Sequence, residues 1–496
     1  MKQLIIYTIL PVLLLGSASC KKWLTLKPQD GIVREEFWQT KEQVDAAVTG
    51  IYASMLGNTS GDLSLAEYFF IWGEARTDMV TPGVTANADE YDIVNLNMLP
   101  TNRYANWRAI YQTINYCNTV IELAPAVLKN DNTFTEEHLN RVIGEALTIR
   151  ALMYFYLTRV FDEVPLKLDA TISDENITPL AKSPAATILN QIVTDLKQAE
   201  NWLPVTYGNQ AMDKGRATRY TVNALLADVY LWMEKYNESI SECNKIIGSG
   251  KFGLIGGAYD LFDELYYEGN SSESIFELQF HPQKLNPFYF MHNYSTRRWA
   301  AASHLMEEVF GVDRVNATPL EDLRGEGTSL RASDLTIWKY VGATSNTLRS
   351  SDQSYAHWIL YRYADILLMK AEATNQLGHP EEASQLVKMI RERAKAFDFN
   401  GTMDSTSQSA MEEFILQERQ REFAFEGKRW FDVLRNAKRN NYQGLNYLLN
   451  MASISVAPDR QQAALNKLKD KNSHYFPIFL YEMQTNKLLV QNPFYK

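Results

Sequence analysis

The chain has 496 residues and a formal net charge of −10. That balance argues against a general nucleic-acid binder, which needs a net or local basic field. The length exceeds the roughly 250–300 residues at which single cores stop growing, which predicts two intimate parts or one large helical body. Apolar residues make up 46% and charged residues 22%, so the excess lies in the aromatics, with 27 Tyr, 22 Phe and 10 Trp; such rings fill a core or stand exposed as flat apolar plates.

The chain opens with "MKQLIIYTILPVLLLGSASC": Lys2, an apolar run from Leu4 to Leu15, then small residues before Cys20. This is the pattern of a secretory signal over 1–19, too short to span a bilayer comfortably. The ending "SASC" resembles a bacterial lipobox, with Ser17 where Leu is common, and makes Cys20 the expected lipidation site. Acyl chains there give stable anchoring. The other two cysteines, Cys117 and Cys243, sit inside helical patterns and are expected as buried free thiols. No CxxC, Cys/His cluster or HExxH suggests zinc, and no cofactor is expected.

Helical periodicity predicts helices at about 34–56, 103–124, 136–161, 184–202, 218–234 and 236–248. From 250 to about 350 the pattern gives way to Gly, Ser, Asn and Pro, with β-like runs at "SIFELQF" and "LTIWKYV". A loop-rich segment of that length in a compact chain usually carries function. Helices resume at about 355–377, 380–397, 408–426 and 427–440, and "FPIFLYEMQTNKLLVQNPFYK" reads as an extended tail with one short helical turn. The resulting divisions are 20–248, a loop-rich ligand-facing 249–350, and 351–496.

Two windows align, "ALLADVYLWMEKYNESISECNKII" and "DILLMKAEATNQLGHPEEASQLVKMI". Small Ala227 and Ala371 fall where each first helix crosses its second. Ser239 and Ala383 follow on the second helices, then Cys243 with Val387 and Ile246 with Ile390. Small residues let antiparallel helices approach while larger ones fill the groove, the spacing of a tetratricopeptide hairpin. "GEALTIRALMYFYL", with Ala151 and Tyr154, resembles a third first helix.

Three motifs invite chemistry and are better explained by structure. "GSGKFG" follows a helix and precedes a loop, so it reads as a helix stop, not a dinucleotide site. Glu74 with Asp78, and Glu307 with Glu308, are candidate acid pairs, but a glycosidase needs carboxylates on opposing sides of a cleft. In "REFAFEGKRWFDVLR", Leu416, Phe423 and Trp430 recur at intervals of seven and Phe431 and Leu434 close the stripe. Glu418 with Arg421, Glu426 with Arg429, and Asp432 with Arg435 are spaced to pair along a helix. Gly427 suggests a kink or junction. A stronger lead is "HPQKLNPFYFMHNYSTRRWA", with Phe288, Tyr289, Phe290, Tyr294 and Trp299 at no clean period. A ring in a polar loop can stack on the apolar face of a sugar while Asn, Gln and Arg bond its hydroxyls.

Along nearly its whole length the chain resembles SusD/RagB-type outer-membrane lipoproteins. "CKKWLTLKPQDGIVREEFWQTKEQVDAAVTGIYASM" is similar to the family's opening. "WRAIYQTINYCNTVIELAP" and "GEALTIRALMYFYLTRVFDEVPL" are similar to its next helices, and "YRYADILLMKAEATNQLG" with "ERQREFAFEGKRWFDVLR" to its C-terminal signature. Pro477, Ile478, Glu482, Asn486, Gln491, Asn492 and Pro493 match its usual ending, with Phe479 where Pro is common. The resemblance implies a mainly α fold of tetratricopeptide-like hairpins backing a loop-rich face with a few short strands. It further implies a non-enzymatic lipoprotein, anchored on the outer membrane, that passes oligosaccharide, or in some members peptide, to a SusC-like TonB-dependent transporter. The matched motifs do not carry the family's ligand-binding residues. In starch-binding members an aromatic arc cradles the glycan, and the stretch between Met79 and Asn106 can contribute to one; it has no Trp, and Tyr91 and Tyr104 are its aromatics. The expected ligand contacts are therefore Tyr91, Phe288, Tyr289, Tyr294 and Trp299.

Overall fold

The computed structural model describes residues 37–57, 63–173, 178–256, 261–314, 321–396 and 403–496; the leader and Cys20 lie outside them. The architecture is mainly helical. Helices α1 (Lys41–Met55), α2 (Leu65–Glu74), α3 (Ala88–Val94), α4 (Arg108–Val127), α5 (Glu136–Phe161), α6 (Ala185–Trp202), α7 (Gln210–Gly215), α8 (Arg219–Trp232) and α9 (Tyr236–Ile247) fill the first half. The one-turn α10 (Phe288–His292) lies in the loop-rich segment. After it come α11 (Tyr363–Gln376), α12 (Pro380–Arg393), α13 (Gln408–Glu422), α14 (Arg429–Tyr442), α15 (Leu445–Ser455), α16 (Gln461–Leu468) and α17 (Leu480–Thr485).

The long helices pack in series: α4 on α5, α5 on α6, α6 on α8, α8 on α9, α9 on α11, and α11 on α12. Ala227, Ser239, Cys243 and Ile246 are fully buried between α8 and α9, as are Ala371, Ala383, Val387 and Ile390 between α11 and α12. At the first crossing the Ser239 hydroxyl donates to the Ala227 carbonyl at 2.9 Å, a distance that a larger side chain at either position would prevent. The two hairpins stack directly through α9 and α11, although more than a hundred residues separate those helices in sequence. The loop-rich segment is thus an insertion between adjacent repeats. Cys117 and Cys243 are buried free thiols, and burial pushes both well above the usual thiol range.

Among the described residues the strands form three two-stranded ribbons, five of the six strands coming from the insertion: β1 (Val80–Pro82), which precedes it, with β3 (Trp299–Ala301), β2 (Ser274–Leu278) with β6 (Trp358–Arg362), and β4 (Leu330–Arg331) with β5 (Thr336–Ile337). "SIFELQF" supplies β2, and only two residues of "LTIWKYV" form β5. The helix expected from 355 begins at Tyr363 because "WILYR" pairs with "SIFEL". Both strands are buried throughout, so their apolar runs carry no alternation to separate strand from helix. Helix α2 escaped periodicity for the same reason: all ten of its residues are buried, leaving no polar stripe.

The stretch Arg421–Arg435 is a helix junction. Phe423 ends α13, Gly427 takes φ +70°, and α14 starts at Arg429. The ring stripe is interior as expected, with Phe423, Trp430, Phe431 and Leu434 buried. Glu418 pairs with Arg421 and Asp432 with Arg435. The expected Glu426–Arg429 pair does not form, because the break destroys the helical spacing between them. Arg429 instead clamps Asp78 at 2.9 and 3.0 Å, and Glu426 meets Arg362 and Lys339. These contacts belong to a buried ionic network in which Arg362, with no exposed surface, also reaches Glu273 at 2.7 Å and Glu422 at 2.5 Å.

Glu74, at the end of α2, faces this junction. Its Oε1 accepts from the Gly427 and Lys428 amides at 2.9 and 3.3 Å, and its Oε2 has no hydrogen-bond partner among the described residues. Burial pushes the carboxyl up to about 8, against the downward pull of those amides and of Arg429. An unfolded glutamate titrates near about 4.3, so folding takes up a proton between those values. Stability from this group is full below about pH 4.3 and is lost as pH rises toward 8. Glu74→Gln, which cannot ionise, should be more stable than wild type at pH 8 by on the order of 3 kcal/mol, with the gap closing below about pH 4.5. Urea melts of both proteins across that range check this; a pH-independent difference would refute it.

Candidate ligand-binding site

The face of the insertion is built by the β1–β3 ribbon, which pairs Val80 with Ala301, Thr81 with Ala300 and Pro82 with Trp299. The pairing extends beyond the strands: the Gly83 amide donates to the Arg298 carbonyl at 2.7 Å and the Thr85 amide to the Arg297 carbonyl at 3.1 Å. Gly83 permits this approach, since a Cβ there would lie 2.4 Å from the Arg297 carbonyl oxygen. The stretch that carries α3 is thereby tied to the aromatic loop.

The loop has a period after all, one turn long. In α10, Phe288, Met291 and His292 point inward and Tyr289 and Phe290 outward. Asn286 sets the turn: its Oδ1 accepts from the Phe288 amide at 3.0 Å and from the Ser354 hydroxyl at 2.6 Å, and its Nδ2 donates to the Ala356 carbonyl at 2.8 Å. The inward rings enter a buried aromatic cluster. Phe288 lies 4.5 Å from Tyr340 and 5.6 Å from Trp358, and His292 lies 4.8 Å from Phe70. Burial holds His292 down at about 3, so it is neutral.

Two expected ligand contacts are therefore corrected. Phe288 and Trp299 have no exposed surface; they pin the loop to the helices and cannot stack on a ligand from outside. The remaining rings face solvent: Phe290 is 60%, Tyr294 51% and Tyr91 50% exposed. Tyr289 is half-buried and meets Phe290 edge to face at 5.3 Å. Tyr91 stands on a separate element, α3. The adjoining Glu90 accepts from the Tyr104 hydroxyl at 2.5 Å and pairs with Arg103. Arg298 joins Tyr104 at 3.0 Å to Glu67 at 2.6 Å, which locks α3, α2 and the loop together. Tyr104 is thus a buried strut and not a surface ring.

Periodicity missed the cations on this face. Arg331 of β4 lies 5.9 Å from the Tyr294 ring centroid and 4.5 Å from that of Trp338, and it pairs with Asp334. Arg297 donates to the Asp334 carbonyl at 2.6 Å. Residues 297 and 331 meet through tertiary pairing, and no local signal announces it. The candidate acid pairs lie elsewhere. Glu74 and Asp78 are interior, and Glu307 is exposed beside Arg314. The formal GxGxxG follows α9, whose last turn is closed by Gly248.

Stacked helix hairpins carrying a long aromatic-faced insertion define a helical-repeat protein. A model described as "SusD family" matches residues 312–495, and one described as "Starch-binding associating with outer membrane" matches residues 22–231. SusD-like protein P38 of Formosa agariphila is 29% identical over 86% of this chain and 90% of its own length; SusD-like protein P25 of the same organism is 23% identical over 99% and 98%. Among solved structures, a SusD superfamily protein from Bacteroides vulgatus superposes with a TM-score of 0.74 at 22% identity, over 92% of this chain and all of that one. B. fragilis NanU superposes with a TM-score of 0.69 at 22% identity, over 95% of this chain and all of that one. The chain belongs to the SusD-like family of outer-membrane-associated, nutrient-binding proteins.

Proposed function

We propose that this protein is a non-enzymatic lipoprotein, anchored through Cys20 and exposed on the outer membrane, that binds oligosaccharide or polysaccharide and delivers it to a SusC-like TonB-dependent transporter. The observation that carries this reading is the set Tyr289, Phe290 and Tyr294 on the loop that buried Phe288 and Trp299 pin to the core, with Tyr91 exposed on α3. A ring held in water gains by covering the apolar face of a sugar, while neighbouring Arg297 and Arg331 can meet hydroxyls. The rigid base means that little loop ordering is left to oppose binding. Polymer gains further from several weak subsites engaged at once.

The triple variant Tyr289→Ala, Phe290→Ala, Tyr294→Ala removes three outward rings. At roughly 1 kcal/mol for each stacked ring, calorimetry against a panel of soluble oligosaccharides should find affinity reduced on the order of 10–100-fold. Its melting temperature should stay near that of wild type. The contrasting Trp299→Ala should lose stability, by about 3–5 kcal/mol. A folded triple variant with undiminished glycan affinity would remove the face from consideration.

A further inference from the structure

A small cavity of about 20 Å³ lies where α5, α8, β6, α11, α13 and α14 meet. That is room for a single water or a monatomic ion, and too little for a sugar, a peptide or an oxyanion. Four cations line it, Arg159, Arg419, Lys428 and Arg435, against three carboxylates, Asp228, Asp365 and Asp432. The carboxylates are engaged. Asp432 accepts from Arg435 at 2.9 Å and lies 2.8 Å from the Arg419 Nε. Asp365 accepts from the Lys428 ammonium at 2.6 Å and from the Arg362 amide at 3.1 Å, and Asp228 accepts from the Tyr361 hydroxyl at 2.9 Å. Glu372, outside the lining, also takes Arg435 but is shared with Arg439. The cations are not fully engaged. Among the described residues Arg419 Nη1 and Arg159 Nε have no hydrogen-bond partner, and the two side chains are only 4% and 7% exposed.

We infer that this cavity is a halide site that takes chloride, with Arg419 Nη1 as its principal donor. A buried charged donor without a partner bears the full desolvation penalty of that group. The lining also carries one more positive than negative charge. A water there accepts from Arg419 but brings two protons of its own and no charge. Chloride only accepts, and it supplies the missing negative charge. Desolvation of the ion opposes binding, while the low dielectric of the site strengthens its attraction to the guanidinium. The ion ties α5, α13 and α14 together behind β6, so it acts on the stability of the frame and leaves the ring face unchanged.

The test takes the intact protein into sodium gluconate, whose anion is too large for the cavity, and titrates in sodium chloride or sodium bromide at constant ionic strength. The melting temperature should rise at millimolar halide and then level off, as for a ligand that binds the folded state alone. Crystals soaked in bromide should show an anomalous peak within hydrogen-bonding reach of Arg419 Nη1. Arg419→Lys keeps the charge but lacks that donor, and should lose the halide response. The Tyr289, Phe290 and Tyr294 alanine variant should respond as wild type does, which separates this site from the glycan face. If Arg419→Lys does not fold, the bromide crystal still decides. The inference is overturned by halide and gluconate acting alike, by a rise that never saturates, by an unchanged response in folded Arg419→Lys, or by a bromide-soaked crystal whose cavity holds water alone.

Discussion

Arg362→Met should cost about 3–5 kcal/mol of folding stability at neutral pH, the range expected when one partner leaves a buried ionic group. Arg362 has no exposed surface and touches Glu273, Glu422 and Glu426 together, with its Nη2 also donating to the Glu422 carbonyl at 2.6 Å. Methionine roughly fills the space but leaves carboxylates in a dry interior with one cation fewer. Lys339 and Arg393 remain near them and limit the damage. The pH dependence gives a second readout. Burial pushes Glu426 up, but Arg362 and Lys339 outweigh it and hold it down at about 2; Glu372 and Glu418, held by other arginines, also sit at about 2. Their contribution is present above the unfolded value of about 4.3 and is lost as pH falls toward 2. Wild type should therefore weaken steeply below about pH 4.5. The variant, missing its strongest attraction, should have a shallower acid limb, so that the two urea-melt curves converge on acidification. A variant within about 1 kcal/mol of wild type at pH 7 would mean that the remaining cations suffice.

Gly73→Ala should destabilise by about 3 kcal/mol or more, although alanine is the better helix former by about 1 kcal/mol. Gly73 lies in α2, and a Cβ there would stand 1.8 Å from the Gly427 carbonyl oxygen and 2.7 Å from its Cα. Both partners are backbone, so neither can rotate away. Moving α2 outward would also pull Glu74 from the Gly427 and Lys428 amides. The control is Gly50→Ala in α1, where nothing among the described residues lies within 4 Å of the new Cβ; it should gain up to about 1 kcal/mol. Thermal melts of the two variants should move in opposite directions. A stabilised Gly73→Ala protein would mean that the α2–α14 junction is not the close contact described.

Much of the helical frame was legible because its helices are amphipathic or carry small residues at crossing points. Helix α5, Glu136–Phe161, begins and ends where its period places it. The α8–α9 and α11–α12 hairpins follow from Ala227 with Ser239 and Ala371 with Ala383. The candidate site was legible only as a neighbourhood. Phe288 and Phe290 are aromatics two residues apart in the same loop, yet one is a core residue and the other stands at the surface. A single helical turn is too short to establish a period, and the loop's rings look alike in composition.

What the sequence determined by itself was whatever depends on contacts between near neighbours: the amphipathic helices, the repeat, and the glycine junction at Gly427. Tertiary structure decided the rest. It chose which rings are buried, because the Phe288 pocket is assembled from Phe70, Tyr340 and Trp358. It replaced the i,i+3 pairing of Glu426 and Arg429 with partners more than sixty residues away in sequence. Burial of a ring or a charge depends on which distant side chains surround it, and no window of neighbours along the chain contains that information.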